Sequence, residues 1–208
     1  MTHVHLLPVA DFGSVSEDRE WHARADVPWD AAPDSEAQQA AVISAADNGA
    51  GYNWGYDPHH YSAPEGSYAT AADGLARVRE LRGAVEALAD DGLGVILDVV
   101  YNHTHASGPH TPKSVLDRCV PGYYHRRNAD GNIEASTCMN NTAGENLMFE
   151  RLVVDSVVHW ALNYRVRGFR FDLMGHMMKV RSSSHLCCMA ASGGPPRALR
   201  GGTTARPS

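Results

Sequence analysis

The stretch that most limits the possible folds is Gly94-Val95-Ile96-Leu97-Asp98-Val99-Val100, an apolar run broken by a single charge. A strand of this kind has no polar face to show to water. It must be covered on both sides, as strands in parallel sheets are by the helices that connect them. The flanking sequence agrees. Upstream, Leu75, Val78, Leu81, Val85 and Leu88 recur at spacings of three and four and predict an amphipathic helix, with Asp73 as its N-cap and Gly92 beyond its end. Downstream, residues 146–164 predict a second helix with Leu147, Val154, Val157, Val158, Ala161 and Leu162 on its inner stripe. His3-Val4-His5-Leu6-Leu7-Pro8-Val9 suits a short buried strand closed by proline, and a third strand begins at Gly168. Strand, helix, strand, helix and strand in this order imply a parallel α/β sheet.

That third strand, Gly168-Phe169-Arg170-Phe171-Asp172, followed by Leu173-Met174-Gly175-His176, alternates bulky residues with one arginine and one aspartate. Burying either charge alone costs several kcal/mol, so the two must pair, reach a polar cavity, or both. Residues two apart on a strand share a face, which sets the guanidinium beside the carboxylate. Taken alone, an Arg-x-Asp is most simply a structural ion pair. Its placement argues for more, because the preceding strand emerges at Tyr101-Asn102-His103, and barrels gather their chemistry at the carboxyl ends of successive parallel strands.

Two loops stand out. Tyr52-Asn53-Trp54-Gly55-Tyr56-Asp57-Pro58 places three aromatics and a glycine ahead of a proline that stops a helix. Such rings either pack under the loop as a small satellite core or line a site, and sugars, whose C–H faces stack on aromatics, are one natural ligand. Residues 104–145 separate the second strand from the second helix, far more than the two to six residues usual there, and predict a functional insertion with a hairpin turn at Asp130-Gly131. Elsewhere, Ser35 and Gln38 form a capping-box pattern for a short helix over residues 36–46, stopped by Asn48-Gly49, within a polar surface insert.

Composition excludes several classes. A net charge of −6, from 24 acidic against 18 basic side chains, disfavours a nucleic-acid surface and suits a neutral or polar ligand. Cys119, Cys138, Cys187 and Cys188 form no C-x-x-C pair, so neither zinc site nor disulfide framework is expected, and the chain reads as one from a reducing compartment. No run of about 18 apolar residues is present, so no membrane span is expected, nor is a signal or transit peptide. From about residue 181 onward periodicity ends in a mixture of Gly, Pro, Ala, Arg and Thr.

The run Asp98-Val99-Val100-Tyr101-Asn102-His103 resembles the first conserved region of the α-amylase superfamily of glycoside hydrolases, and residues 168–172 resemble its second. The aromatic string 52–56, together with Leu173-Met174-Gly175-His176, is similar to type I pullulanases and to plant and green-algal limit dextrinases. The resemblance covers roughly residues 1–180. It implies a partial TIM (β/α)8 barrel, about strands two to four, with the insertion at about 104–145 following strand three and residues 181–208 as an unstructured tail of the kind a frameshift produces. It implies starch debranching, the retaining hydrolysis of α-1,6-glucosidic linkages in pullulan, amylopectin and limit dextrins.

By position, Asp172 matches the nucleophile and Arg170 the residue that holds it. His103 matches the donor to the bound glucose, and Tyr56 the ring on which that glucose stacks. Trp54 and His176 belong to the debranching signature, and Asp98 and Asn102 match positions of more structural role. The family's general-acid glutamate and third carboxylate come from later strands without a counterpart here, so this chain alone is expected to be inactive. Arg167 stands where the family commonly has aspartate, and Asp57 where many pullulanases have asparagine.

The implied partner is a branched α-glucan, with no nucleic acid or membrane and an oligomeric state left open. No cofactor or metal is expected in this chain, and calcium in the intact enzyme is not legible. Resemblance to plant and algal enzymes implies a chloroplast location, otherwise a cytoplasmic one. The alternatives are an α-1,4-acting hydrolase of the same superfamily and a non-catalytic glucan-binding remnant. His103-Thr104-His105, with His59-His60 nearby, also resembles the H-x-H of metal-dependent amidohydrolases, but the pairing with residues 168–172 has no reason to occur there.

Overall fold

The computed structural model describes residues 1–178 apart from 19, 21, 23–25, 33, 48–52 and 137–138. The expected helix stop at Asn48-Gly49, the ring of Tyr52 and the tail beyond residue 180 lie outside the described residues. In chain order the elements are β1 (His3–Leu6), β2 (Ala10–Phe12), α1 (Glu36–Asp47), β3 (Pro58–Pro64), α2 (Ala76–Asp90), β4 (Gly94–Val99), α3 (Leu116–Cys119), α4 (Leu147–Tyr164) and β5 (Gly168–Phe171). Short 3-10 turns occupy Gly66–Tyr68 and Met174–His176.

The parallel sheet has the order β1-β4-β5, so each strand lies beside the next parallel strand in sequence. The apolar run becomes its central strand, with Val95, Leu97 and Val99 buried. β1 departs from expectation. It alternates exposed and half-buried residues, because only β4 pairs with it and its other edge carries no partner strand among the described residues. β2 and β3 form a separate antiparallel pair. β3 was not expected, since prolines bound it and polar residues interrupt it, yet its Tyr61 is a core residue.

Both expected helices form, with altered details. α2 buries Val85 and packs Val78, Leu81 and Leu88 against the core, but Leu75 is exposed and takes the N-cap position without a side-chain bond, so Asp73 does not cap the helix. α4 is turned from its expected orientation. Phe149, Ser156, Trp160 and Tyr164 are buried, whereas Leu147, Val154, Val158 and Leu162 from the expected stripe are exposed. The helix carries two apolar stripes of the same period, and the inward one bears polar tips that find partners. Trp160 Nε1 donates to the Tyr61 carbonyl at 2.9 Å, and Ser156 Oγ accepts from the Tyr101 and Ser62 hydroxyls at 2.9 Å. A buried indole or hydroxyl left unpaired would cost about 1–3 kcal/mol, which selects this face.

In α1, Ser35 Oγ accepts from Ala37 N at 3.1 Å, while the Gln38 amide turns to the carbonyls of Pro28 and Ala31, so the reciprocal half of the capping box does not form. The insertion has a polar interior. Asp117, fully buried, accepts from Gly108 N at 2.7 Å and Gly122 N at 3.1 Å, and the expected hairpin closes through the Arg127–Ile133 bridge with Gly131 at φ +81°. No helix among the described residues is long and apolar enough to cross a membrane.

If the aromatic face of α4 holds the core, Trp160→Ala should destabilise the chain by about 3–5 kcal/mol, and Leu162→Ala should fall within about 0.5 kcal/mol of the parent. Urea unfolding of both variants checks this, and equal losses would mean that α4 is rotated.

Candidate active site

Asp98 is 3% exposed in the central strand, so its carboxylate needs donors from inside the protein. The β4–β5 register supplies the main one by pairing Asp98 with Arg170. Arg170 Nη1 lies 2.9 Å from both Asp98 oxygens and 2.9 Å from Asp172 Oδ1. The Tyr56 hydroxyl donates to Asp98 Oδ2 at 2.9 Å, and His5 Nε2 stands 3.6 Å from the same oxygen. Two strands and the loop before β3 thus contribute to one hydrogen-bonded cluster, with the third strand close beside it. The expected pairing of Arg170 with Asp172 is present, and the shared hold on Asp98 is an addition that local sequence did not disclose.

Charge and burial act together on these groups. The hydrogen bond to Asp98 holds the Arg170 guanidinium more firmly protonated than usual. Burial, then the Asp98 contact, push the Tyr56 phenol up, keeping it a donor. Asp172 N donates to the Val99 carbonyl at 2.9 Å, extending the ladder one residue beyond β5. Leu173 then turns at φ +43°, a left-handed conformation that costs a non-glycine residue about 1 kcal/mol or more and ends the strand directly after the carboxylate.

His103 is 2% exposed, and both ring nitrogens are engaged. Asn102 Nδ2 donates to His103 Nδ1 at 2.9 Å, which leaves Nε2–H to donate to the Tyr56 carbonyl at 2.7 Å. Burial pushes the imidazole pKa down, in keeping with this neutral tautomer. The ring therefore secures the Tyr56 backbone in this structure, and Nε2–H must release that carbonyl before it can reach a sugar. Asn102 is 1% exposed, and its Oδ1 has no hydrogen-bond partner among the described residues.

Gly55, at φ +85°, closes against Pro8, where a Cβ would lie 2.8 Å from the Pro8 carbonyl oxygen. Trp54 on one side of this turn is 64% exposed, and Tyr56 on the other reaches Asp98. His176 joins the insertion instead, with Nδ1 3.3 Å from Ser136 Oγ and its carbonyl accepting from Arg126 at 3.0 Å. Of the expected site residues, Asp98, Arg170, Asp172 and Tyr56 meet directly, with His103 and Asn102 joined through the Tyr56 backbone. His5 was not foreseen, and only its alternation with His3 on an edge strand could have pointed to it. Of the H-x-H pair, His103 is engaged as above and His105 Nδ1 faces Asp57 Oδ2 at 3.3 Å. An ionised carboxylate fixed by a guanidinium at the end of a strand can act as a nucleophile or stabilise a developing cation.

No family model matches the chain. It is 53% identical over 182 residues to the chloroplastic pullulanase 1 of Arabidopsis thaliana, a match spanning 86% of this chain and 19% of that protein. It is 52% identical over 132 residues to the pullulanase of Klebsiella aerogenes, spanning 62% of this chain and 12% of the relative. Among solved structures, the Klebsiella pneumoniae pullulanase complexed with maltotriose superposes with a TM-score of 0.74 at 39% identity, covering 85% of this chain and 20% of that one. PulA from Klebsiella oxytoca gives a TM-score of 0.74 at 38% identity, covering 84% and 20%.

The tautomer yields a direct check. In histidine-labelled protein, NMR should find His103 neutral with its proton on Nε2, titrating below the ordinary range of about 6.5. Because the folded state disfavours the charged ring, this group's contribution to stability is fully present above the ordinary value and is lost as pH falls from there through the lower folded value. A proton on Nδ1 at neutral pH would contradict the bond to Tyr56.

Proposed function

We propose that this chain, a relative of the pullulanases that spans 19% of the Arabidopsis protein and 12% of the Klebsiella aerogenes one, supplies the nucleophile side of a starch-debranching active site. The reaction is hydrolysis of α-1,6-glucosidic linkages in pullulan, amylopectin and limit dextrins by retaining double displacement. The observation that carries the reading is the single Arg170 nitrogen shared by Asp98 and Asp172 where parallel strands end. Neighbouring parallel strands joined through helices suit part of a (β/α)8 barrel, with the insertion at about 104–145 beside its mouth. The chloroplast name of the Arabidopsis relative supports a plastid location.

In the proposed mechanism, Arg170 occupies Asp172 Oδ1, which leaves Oδ2 to attack the anomeric carbon. The glycosidic C–O bond breaks as the ester to Asp172 forms, and the leaving oxygen takes a proton from a general acid. Water, giving a proton back to that same acid residue, then attacks the same carbon, breaks its ester bond to Asp172 and releases the sugar with retained configuration. Tyr56, Trp54 and His176 are assigned to glucan contacts, His103 to the cleavage subsite, and Asp98 and Asn102 to support beneath it.

The acid must be a second carboxyl about 5–5.5 Å from the nucleophile. Asp98 is surrounded by donors and serves as an acceptor. Glu145 is clamped by Arg126 at 2.9 and 2.6 Å, and Glu65 receives the N–H groups of Phe12 and Ser67 at 3.0 and 2.8 Å. As the resemblance to the α-amylase superfamily implies, we assign the acid to a glutamate from a later strand.

Two measurements test the proposal. In the enzyme that contains this chain, Asp172→Asn should remove nearly all turnover on pullulan while sparing binding, and retention of more than a few per cent of kcat would move the nucleophile elsewhere. The 208-residue chain alone should release no reducing sugar from pullulan or linear maltodextrin. Release that vanishes with Asp172→Asn would place the acid within this chain, and preference for maltodextrin would favour the α-1,4 reading.

A further inference from the structure

A second cluster of chemistry-bearing side chains lies where β2 meets β3. The register there is irregular, with Ala10 opposite Pro64, Asp11 opposite His60 and Phe12 opposite Pro58, and with shifts on both sides of Asp11. Consecutive strand residues normally point to opposite faces, so His59 and His60 should diverge. The irregularity brings them together instead. Their ring centroids are 4.1 Å apart, and both Nδ1 atoms face the same Asp11 oxygen, His59 at 3.5 Å and His60 in a short hydrogen bond.

We propose that Asp11, His59 and His60 form a binding site for a divalent first-row transition ion of the zinc type, in which the ion takes the place of the hydrogen bond between His60 and Asp11. The three ligand atoms already lie within 4.8 Å of one another. Bonds of about 2.0–2.1 Å in a tetrahedral site set neighbouring ligand atoms roughly 3.3 Å apart, close to the His59–Asp11 separation. The His60–Asp11 contact is a short hydrogen bond, and an ion between the two atoms would widen it. Two imidazoles with one carboxylate form a borderline donor set that favours zinc, cobalt, nickel or copper over calcium or magnesium.

Access fits as well. The Asp11 side chain is 8% exposed, whereas those of His59 and His60 are 25% and 48% exposed, so an ion can enter from the histidine side and keep a water as fourth ligand. The overlapping group of Asp11, Glu17 and Glu65 is less suited, because Arg77 holds Glu17 at 2.6 Å and backbone N–H groups hold Glu65. An ion on Asp11 and the two histidines would tie the irregular part of β2 to the start of β3, just after the turn that carries Tyr56. This site is independent of the glycosidase reading and does not involve Asp172.

Cobalt(II) titration of the full 208-residue chain tests the site, since its visible absorption distinguishes nitrogen and oxygen ligands from cysteine thiolates. The expected result is one cobalt equivalent with nitrogen and oxygen character, displaced by zinc. His59→Gln and His60→Gln should each weaken it by at least about tenfold, with the far-ultraviolet circular dichroism unchanged. His60→Cys, which keeps a ligand, should retain binding and add a thiolate-to-cobalt band. The proposal is overturned if the parent binds no cobalt or binds it through thiolates alone. It is equally overturned if both Gln variants bind as the parent does, or if His60→Cys gains no thiolate band.

Discussion

One guanidinium nitrogen holds the functional end of this chain together. Asp98 sits within the central strand at 3% exposure, where an unpaired carboxylate would cost several kcal/mol. Arg170 answers it across the parallel register and also holds Asp172, two residues further along the chain and just past the end of β5. Register is therefore the controlling variable. A slip of one residue between β4 and β5 would send Arg170 to the opposite face, leaving Asp98 without its cation and the proposed nucleophile without its anchor.

The sheet is kept in that register from below by an aromatic core linked to the site through Tyr61. Its carbonyl accepts from Trp160 Nε1 at 2.9 Å and Ser156 Oγ at 3.2 Å, and its hydroxyl donates to the His103 carbonyl at 2.9 Å. One residue of β3 thus connects the inward face of α4 to the segment leaving β4. Burial pushes the Tyr101 phenol up to about 12, and its hydroxyl is held by Ser156, so the polar atoms of this core stay neutral and paired. The His103 ring continues the chain of contacts to the Tyr56 backbone, and Tyr56 returns it to Asp98.

What the sequence disclosed follows from the range over which each signal acts. The apolar run of β4 and the same-face placement of Arg170 and Asp172 are local consequences of strand periodicity, and both were legible. The Asp98–Arg170 contact joins residues 72 apart and depends on a register that neither strand encodes alone. Periodicity in α4 admits two stripes. Aliphatic content favoured Leu147, Val154, Val158 and Leu162, whereas the polar tips of Ser156 and Trp160, which need partners held by β3 and β4, decided for the other. β3 was obscured by its bounding prolines and paired histidines, and with it the meeting of His59, His60 and Asp11. The involvement of His103 with a main-chain carbonyl was equally hidden, because backbone partners leave no trace in residue identity.

The proposal that Asp172 is the nucleophile is tested most directly by trapping the covalent intermediate. The enzyme containing this chain is incubated with an activated 2-deoxy-2-fluoro maltosyl substrate, whose glycosyl-enzyme ester hydrolyses slowly, then digested and mapped by mass spectrometry. The predicted result is one added glycosyl group on the peptide bearing Asp172, absent from Asp172→Asn. An adduct on Asp98 or on any other carboxylate would contradict the role given to Arg170 and Asp172.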